Sequence, residues 1–272
     1  MTVPFVRQFT VGATGTDCRA VKRALAEVWA ATPVTGMDLT GDMFEEPAGD
    51  YLATFKRDHG LLQDPVYTVE AHAALSPFFD TLGIQLLKDE AATLALEAED
   101  ALRAAFCATA ARTITLGRLF GYSELIGAGP GERDFFLTAP IDTTGTDWAA
   151  FVASHGKLTS DCGSHYFACG AHTAGFSWGS LNVDGNTATL LSLPETTAAD
   201  AKPGDGVIFT GPQFPGGQHI TGLYKKLPSG DWQTFNNGGP AGAPPSWSTL
   251  SAQTQWQAAN GAPVLNWRRL PV

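Results

Sequence analysis

The strongest hydrophobic periodicity lies near the N-terminus. Five apolar residues recur at i, i+3, i+4, i+7 and i+8, the stripe of an amphipathic helix: Val21, Ala24, Leu25, Val28 and Trp29. Asp17 is a suitable N-cap for this helix. A second helix is predicted from about residue 48 to residue 59, before Gly60, and a third from residue 69 to about residue 75. Three short helices with such loops predict a small bundle over residues 1–82.

A long helix is predicted next. From residue 86 to about residue 113 the chain contains neither glycine nor proline, and its alanine and leucine residues can share one broad apolar face. We expect residues 83–113 to be a helical connector whose C-terminal half packs on the domain that follows. A segment rich in glycine and proline, FGYSELIGAGPGERDFF, then ends the helical pattern.

After residue 200 the pattern changes from helical to alternating. Residues 219–224, HITGLY, alternate between two sides, and apolar runs such as GVIF and VLNW accompany turn sequences such as PGD and SGD. Because the predicted strands follow one another through short turns, we expect an antiparallel sheet. With a helix expected in the segment that begins near residue 160, residues 114–272 form a second domain. The predicted fold class is α+β.

The net charge of the chain indicates which classes of partner are not expected. The 272 residues include 27 acidic and 17 basic side chains, and the formal net charge is −10. Nucleic acid and anionic membranes repel such a surface, so neither is expected as the main partner. The charge is uneven, with a net −8 in residues 1–110 and a net −2 in residues 111–272. This asymmetry supports two modules of different character.

No membrane span or export signal is predicted. No stretch approaches the roughly 18 apolar residues that a spanning helix needs. The N-terminal segment MTVPFVRQFTVGATG lacks the apolar core of a signal peptide. We therefore expect a soluble cytoplasmic chain, and a monomer. Four cysteines in a chain of this size are too few for a disulfide framework.

Two cysteines and two histidines lie close together in the segment SDCGSHYFACGAH. Cys162, His165, Cys169 and His172 fall at i, i+3, i+7 and i+10, which places them on one face of a helix. The ends of that row are about 15 Å apart at a rise of about 1.5 Å per residue, whereas tetrahedral zinc holds its ligands at about 2.0–2.3 Å. The four side chains cannot close one site, and we expect neither a metal ion nor a cofactor.

A nucleophilic cysteine explains the same segment better. Ser160 and Asp161 are strong N-cap residues, so Cys162 is expected in the first turn of a helix. There the helix dipole and the free amide N–H groups favour a thiolate, and the same N–H groups can stabilise an oxyanion. Such a thiolate needs a base from another part of the fold. Cys169 is expected to be a small buried side chain.

The N-terminal module resembles the peptidoglycan-binding domain of cell-wall hydrolases. The resemblance rests on three successive segments, VGATGTDCRAVKRALAEVW, LTGDMFEEPAGDYLATFKRDHGL and DPVYTVEAHAAL. The positions that match the family pattern are Gly12, Gly15, Asp17, Leu25, Gly41, Phe44, Phe55, Gly60, Leu61, Asp64 and Leu75. The segment DPVYT departs from it, because the glycines of the family are replaced there. The resemblance implies that this module binds bacterial peptidoglycan.

The C-terminal domain resembles the NlpC-type and CHAP cysteine peptidases and amidases of cell-wall degradation. The segments SDCGSHYF, KPGDGVIFTG and GGQHITGLYKKL carry the resemblance. It implies a papain-like domain in which a cysteine-bearing helix packs on an antiparallel sheet. Cys162 would be the nucleophile and His219, 57 residues later, the general base. A polar third residue would hold the productive tautomer of the histidine. Asn236 is preferred for this role, and Asn237 and Gln233 are the alternatives.

Two further residues are predicted to contact the substrate. Asp161 directly precedes the cysteine, and Tyr122 lies in the segment rich in glycine and proline, which often forms one wall of the cleft in these peptidases. An ordinary surface loop is the alternative for that segment. His155 also lies before the cap, but no geometric argument gives it a role.

The two resemblances together imply a peptidoglycan hydrolase like a bacteriophage endolysin. It would accumulate in the cytoplasm of the bacterial host, reach the wall once the membrane is breached, and lyse the cell by cutting an amide bond in the peptide stem or cross-bridge. Three alternatives remain: an N-acetylmuramoyl-L-alanine amidase with the same catalytic residues, a non-catalytic wall-binding or virion structural protein, and a zinc amidase.

Overall fold

The computed structural model describes residues 3–119, 150, 161–238 and 245–272. The chain folds into two compact units, Met1–Ala98 and Glu99–Val272. Helices and a five-stranded antiparallel sheet are both present, so the predicted α+β class is confirmed. Within the described ranges, none of the helices has the length and apolar character needed to cross a membrane.

The first unit is a helical bundle. Its helices are α1 (Thr16–Val28), α2 (Glu46–Asp58), α3 (Val69–Leu75) and the start of α4 (Thr81–Leu119), with a 3₁₀ turn at Ser76–Phe78. The apolar stripe predicted for α1 faces the bundle core. Gly15, not Asp17, is the N-cap of α1. Asp17 lies buried in the first turn, where its carboxylate accepts hydrogen bonds from Arg7 at 2.7 and 3.0 Å.

Buried bases in this bundle have carboxylate or carbonyl partners. Lys22 is fully buried, and its Nζ donates to the Met43 carbonyl at 2.7 Å and to the Glu45 carboxylate at 2.9 Å. Such pairing is required because an isolated buried charge is costly. The ion pair joins α1 to the segment that leads into α2.

The second unit is built on one antiparallel sheet. Its strands are β1 (Gly206–Gly211), β2 (Phe214–Lys226), β3 (Trp232–Asn236), β4 (Ser246–Thr249) and β5 (Val264–Arg268). The order across the sheet is β4-β3-β2-β1-β5, and each neighbouring pair is antiparallel. The helices that follow α4 in the described ranges are α5 (Cys162–Ala171), the single turn α6 (Thr187–Leu190) and α7 (Leu250–Ala259).

The two faces of the sheet are covered by different helices. One face forms an apolar cluster with α5, called here the α5 cluster, which includes Ile208, Ile220, Phe235, Tyr166 and Cys169. The other face forms the α7 cluster, which includes Val207, Phe209, Leu223, Trp232 and Leu250. Because side chains alternate along a strand, neighbouring residues of β2 point toward different helices.

Helix α4 joins the second unit through its C-terminal half. Phe106 and Ile114 belong to the α5 cluster. Arg103 donates from Nη1 to the Asp205 carboxylate at 2.7 Å, and both side chains are buried. Asp205 directly precedes β1, so this ion pair attaches the helix to the sheet.

Candidate functional site

Cys162 is the first residue of α5. As the sequence predicted, Asp161 is the N-cap, and its carboxylate accepts a hydrogen bond from the Ser164 backbone N–H at 2.7 Å. The Asp161 carbonyl accepts the first helical bond, from the His165 N–H, at 3.0 Å. Cys162 is 6% exposed and lies in the α5 cluster. Cys162 thus lies in the first turn of a helix, where the helix dipole and the free backbone N–H groups favour the thiolate form of a cysteine.

The residue after the cysteine has no room for a side chain. A Cβ atom on Gly163 would lie 2.1 Å from the carbonyl oxygen of Gly185. Glycine allows this close approach of two backbone segments, and no other residue does without a shift. The resembled family more often has serine at this position, so the Gly185 backbone explains the departure in this chain.

His219 lies on the other face of the sheet. It is opposite Phe209 of β1, and the two rings are 6.3 Å apart with 30° between their planes. Phe209 belongs to the α7 cluster. His219 is 4% exposed, its Nε2 has no hydrogen-bond partner within the described residues, and burial lowers the pKa of its imidazole from 6.5 to about 4. The alternation of β2 directs the His219 side chain toward the α7 cluster, whereas Cys162 lies in the α5 cluster. The pairing of Cys162 with His219 stays a prediction.

The register of β2 determines the direction of the His219 side chain. Ile220 packs in the α5 cluster, and a Cβ on Gly222 would lie 2.0 Å from the ring of Phe235 in the same cluster. Since side chains alternate with a period of two, His219 and Thr221 point the other way.

Asn236 ends β3 on the same face as His219. Its Oδ1 accepts a hydrogen bond from Thr221 Oγ1 at 2.9 Å, and its Nδ2 donates to the Ser246 carbonyl at 3.2 Å. These bonds join β2, β3 and β4. In the part of the chain that is described, Asn236 makes no hydrogen bond to the His219 imidazole. The structure thus brings two of the predicted catalytic residues to one face and leaves Cys162 on the other.

Asn237 is the polar residue that reaches the cysteine-bearing helix. It directly follows β3, is fully buried, and donates from Nδ2 to the Asp161 carbonyl at 3.2 Å. This bond holds the N-terminus of α5 against the end of β3. Gln233, the other alternative for the third residue, lies near the opposite end of β3, where it pairs with Thr249. Of the three polar candidates, Asn237 is therefore the one that contacts the residue before Cys162.

The other cysteine and histidines of this segment belong to the core or to the helix end. His165 Nε2 is hydrogen-bonded to Thr113 Oγ1 at 2.6 Å, and burial lowers the pKa of its imidazole from 6.5 to about 3. Cys169 is fully buried, as predicted, and burial raises the pKa of its thiol. His172 is the C-cap of α5. No group of three or more His, Cys, Asp or Glu side chains is arranged for a metal ion among the residues described.

Asp161 and Tyr122 were predicted to contact the substrate. The Asp161 carboxylate is engaged in capping α5, which positions Cys162. Tyr122 lies outside the described residues, and so does His155.

Comparison of the chain with models of known protein families, with curated proteins and with solved structures found no match.

Proposed function

We propose that this chain is a peptidoglycan hydrolase that cuts an amide bond with Cys162 as its nucleophile. One observation carries the proposal: Cys162 opens a capped helix that packs on an antiparallel sheet, where first-turn N–H groups favour both a thiolate and an oxyanion. The helical first unit, whose sequence resembles a wall-binding module, supports peptidoglycan as the substrate. Tethering through that unit would raise the effective concentration of substrate.

The proposed chemistry is an acyl transfer. The Cys162 thiolate attacks the carbonyl carbon of the amide, and the tetrahedral intermediate expels the amine, which leaves with a proton. Water then hydrolyses the thioester to a carboxylate and restores the thiol. Binding of the oxyanion by backbone N–H groups at the start of α5 lowers the barrier of both steps.

His219, the base predicted from the sequence, points toward the α7 cluster, so a second histidine is tested beside it. His165 is sealed in the core, and His172 is ten residues beyond Cys162, about 15 Å along the helix. The remaining histidine of the second unit is His155, seven residues before the cysteine. His155 is therefore the histidine to test as the base.

Digestion of purified peptidoglycan tests the proposal. Wild type should release soluble fragments and Cys162→Ala none, while Cys169→Ala, a matched change of a thiol on the same helix, should stay active. His219→Gln and His155→Ala each remove one candidate base, and the histidine whose replacement abolishes fragment release is the base. Mass spectrometry identifies the bond: new amino termini in the stem or cross-bridge indicate an endopeptidase, and free lactyl ends on muramic acid indicate an amidase. Full activity of Cys162→Ala would refute the mechanism.

A non-catalytic wall-binding or virion structural protein is the second candidate. The direction of the His219 side chain, which faces the α7 cluster, favours it. This candidate predicts that wild type and Cys162→Ala bind peptidoglycan equally and that neither releases fragments.

We also propose that the protein acts as a monomeric endolysin. It would then remain harmless in the host cytoplasm until the membrane is breached. Expression alone should leave cells intact, and expression together with a membrane pore should lyse them. Lysis that is independent of the pore would contradict this route to the wall.

A further inference from the structure

A groove of ≈ 330 Å³ lies between the end of α1 and the first half of α2. It is lined by Trp29, Thr35, Pro47, Asp50, Tyr51 and Thr54. The proposed acyl transfer uses none of these residues. The volume is near the lower end of the range of about 300–1,000 Å³ for small-ligand pockets. It suits one long side chain or a short peptide better than a length of glycan chain.

Two aromatic rings form one wall of the groove. Trp29 is the C-cap of α1 and Tyr51 lies in α2, with ring centroids 5.2 Å apart and 54° between the planes. The Tyr51 hydroxyl accepts a hydrogen bond from the Thr35 backbone N–H at 3.0 Å, which ties the loop after α1 to α2. Both rings are only half-buried. The faces of aromatic rings carry the negative part of the ring quadrupole, which attracts cations.

Asp50 is the acidic side chain that lines the groove. It is exposed, and it pairs with no basic side chain in the part of the chain that the structure describes. Among the described residues, no lysine or arginine lines the groove. Bases of this unit pair with other acids, as Lys22 does with Glu45. Residues 1–110 carry a net charge of −8, so the groove favours a cation and repels anionic wall polymers.

We propose that this groove binds the protonated side-chain amine of a peptidoglycan stem peptide. The ammonium would lie over Trp29 and Tyr51 and pair with Asp50. Peptidoglycan stems carry such an amine on their diamino acid wherever a cross-link is absent. Thr54, one turn after Asp50 in α2, offers a hydroxyl to the adjoining peptide. The inference rests on the proposed wall binding and adds the chemical group that is recognised.

Binding of full-length protein to purified peptidoglycan tests this assignment, with Cys162→Ala as the background so that the wall is not digested. Asp50→Asn and Trp29→Ala should each weaken binding about three- to tenfold. Asp58→Asn, which removes another exposed carboxylate of α2, is the matched control and should bind normally. Acetylation of the wall amines should weaken binding of the background protein at least as much as Asp50→Asn does, and should weaken binding of Asp50→Asn less, because only the aromatic contact with the ammonium remains to be lost. Far-UV circular dichroism checks that each variant is folded.

Soluble peptides that compete with the wall identify the chemical group that the groove binds. A stem tripeptide with a free lysine amine should displace the protein, and the same tripeptide acetylated at that amine should not. Equal binding to acetylated and untreated walls, or displacement by a glycan oligomer instead of the tripeptide, overturns the amine assignment and leaves wall binding intact. Absence of any binding to peptidoglycan overturns both the assignment and the role of the first unit, whereas fragment release by the second unit is measured separately.

Discussion

Removal of the Asp205 charge tests how the second unit is held together. Its Oδ1 accepts hydrogen bonds from Arg103 Nη1 at 2.7 Å and from the Leu270 N–H at 2.9 Å, and its Oδ2 accepts one from the Lys202 N–H at 3.0 Å. Arg103 also donates to the Pro203 carbonyl at 3.0 Å. One buried carboxylate thereby joins α4, the start of β1 and the C-terminal segment.

The expected loss of stability depends on which buried charge remains unpaired in each variant. Breaking a buried ion pair by removing one charge costs about 3–5 kcal/mol, because the other charge loses its compensation. In Asp205→Asn, Arg103 keeps one carboxylate partner, the half-buried Glu99 at 2.8 Å. We therefore expect the lower end, about 3 kcal/mol. With a urea m-value of about 2 kcal/mol/M, the unfolding midpoint should fall by about 1.5 M.

Urea unfolding followed by tryptophan fluorescence measures this shift, since six of the seven tryptophans lie in residues 99–272. Asp200→Asn, which changes an exposed carboxylate nearby in sequence, is the control and should shift stability by less than about 0.5 kcal/mol. The double variant Arg103→Met/Asp205→Leu should cost less than the sum of its single changes, because it leaves no buried charge. A midpoint shift below about 0.5 M for Asp205→Asn, or strict additivity in the double variant, would refute the reasoning.

Three further predictions concern the sheet and its helices. Burial lowers the pKa of His165 to about 3 and of His219 to about 4, so below pH 6.5 the unfolded chain takes up protons that the folded unit does not. The free energy of unfolding should therefore fall as the pH drops from 6.5 toward 4, by roughly 1.4 kcal/mol per pH unit for each histidine. Urea midpoints at pH 7 and pH 5 measure this loss. The prediction is contradicted if stability depends on pH as steeply in His219→Gln as in wild type. Gly222→Ala should destabilise the second unit by about 1–3 kcal/mol because its Cβ would meet the Phe235 ring, and a thermal midpoint equal to that of wild type would disprove the close contact. Asp161→Ala removes the cap of α5, which should lower the free energy of unfolding by about 1 kcal/mol and slow fragment release from peptidoglycan. Asp161→Asn, which can still cap the helix, should keep both the stability and the rate of release.

Several elements could be predicted because their causes are local. The stripe of α1 and the cap of α5 depend on residues a few positions apart, and α1 and Asp161 both lie where the pattern placed them. The alternation in β2 likewise identified which side chains share a face. Contacts over one or two turns of chain are encoded in the spacing of the residues themselves.

The position of His219 was decided only by the tertiary structure. Alternation states that His219 and Thr221 lie together, but not which helix covers them. That depends on α5 and α7 packing on opposite faces of the sheet, and on Gly222 leaving room for Phe235. The sequence by itself determined an α+β chain with a cysteine at a helix N-terminus. The surroundings of that cysteine come from segments far apart in the chain, whose packing no local pattern encodes.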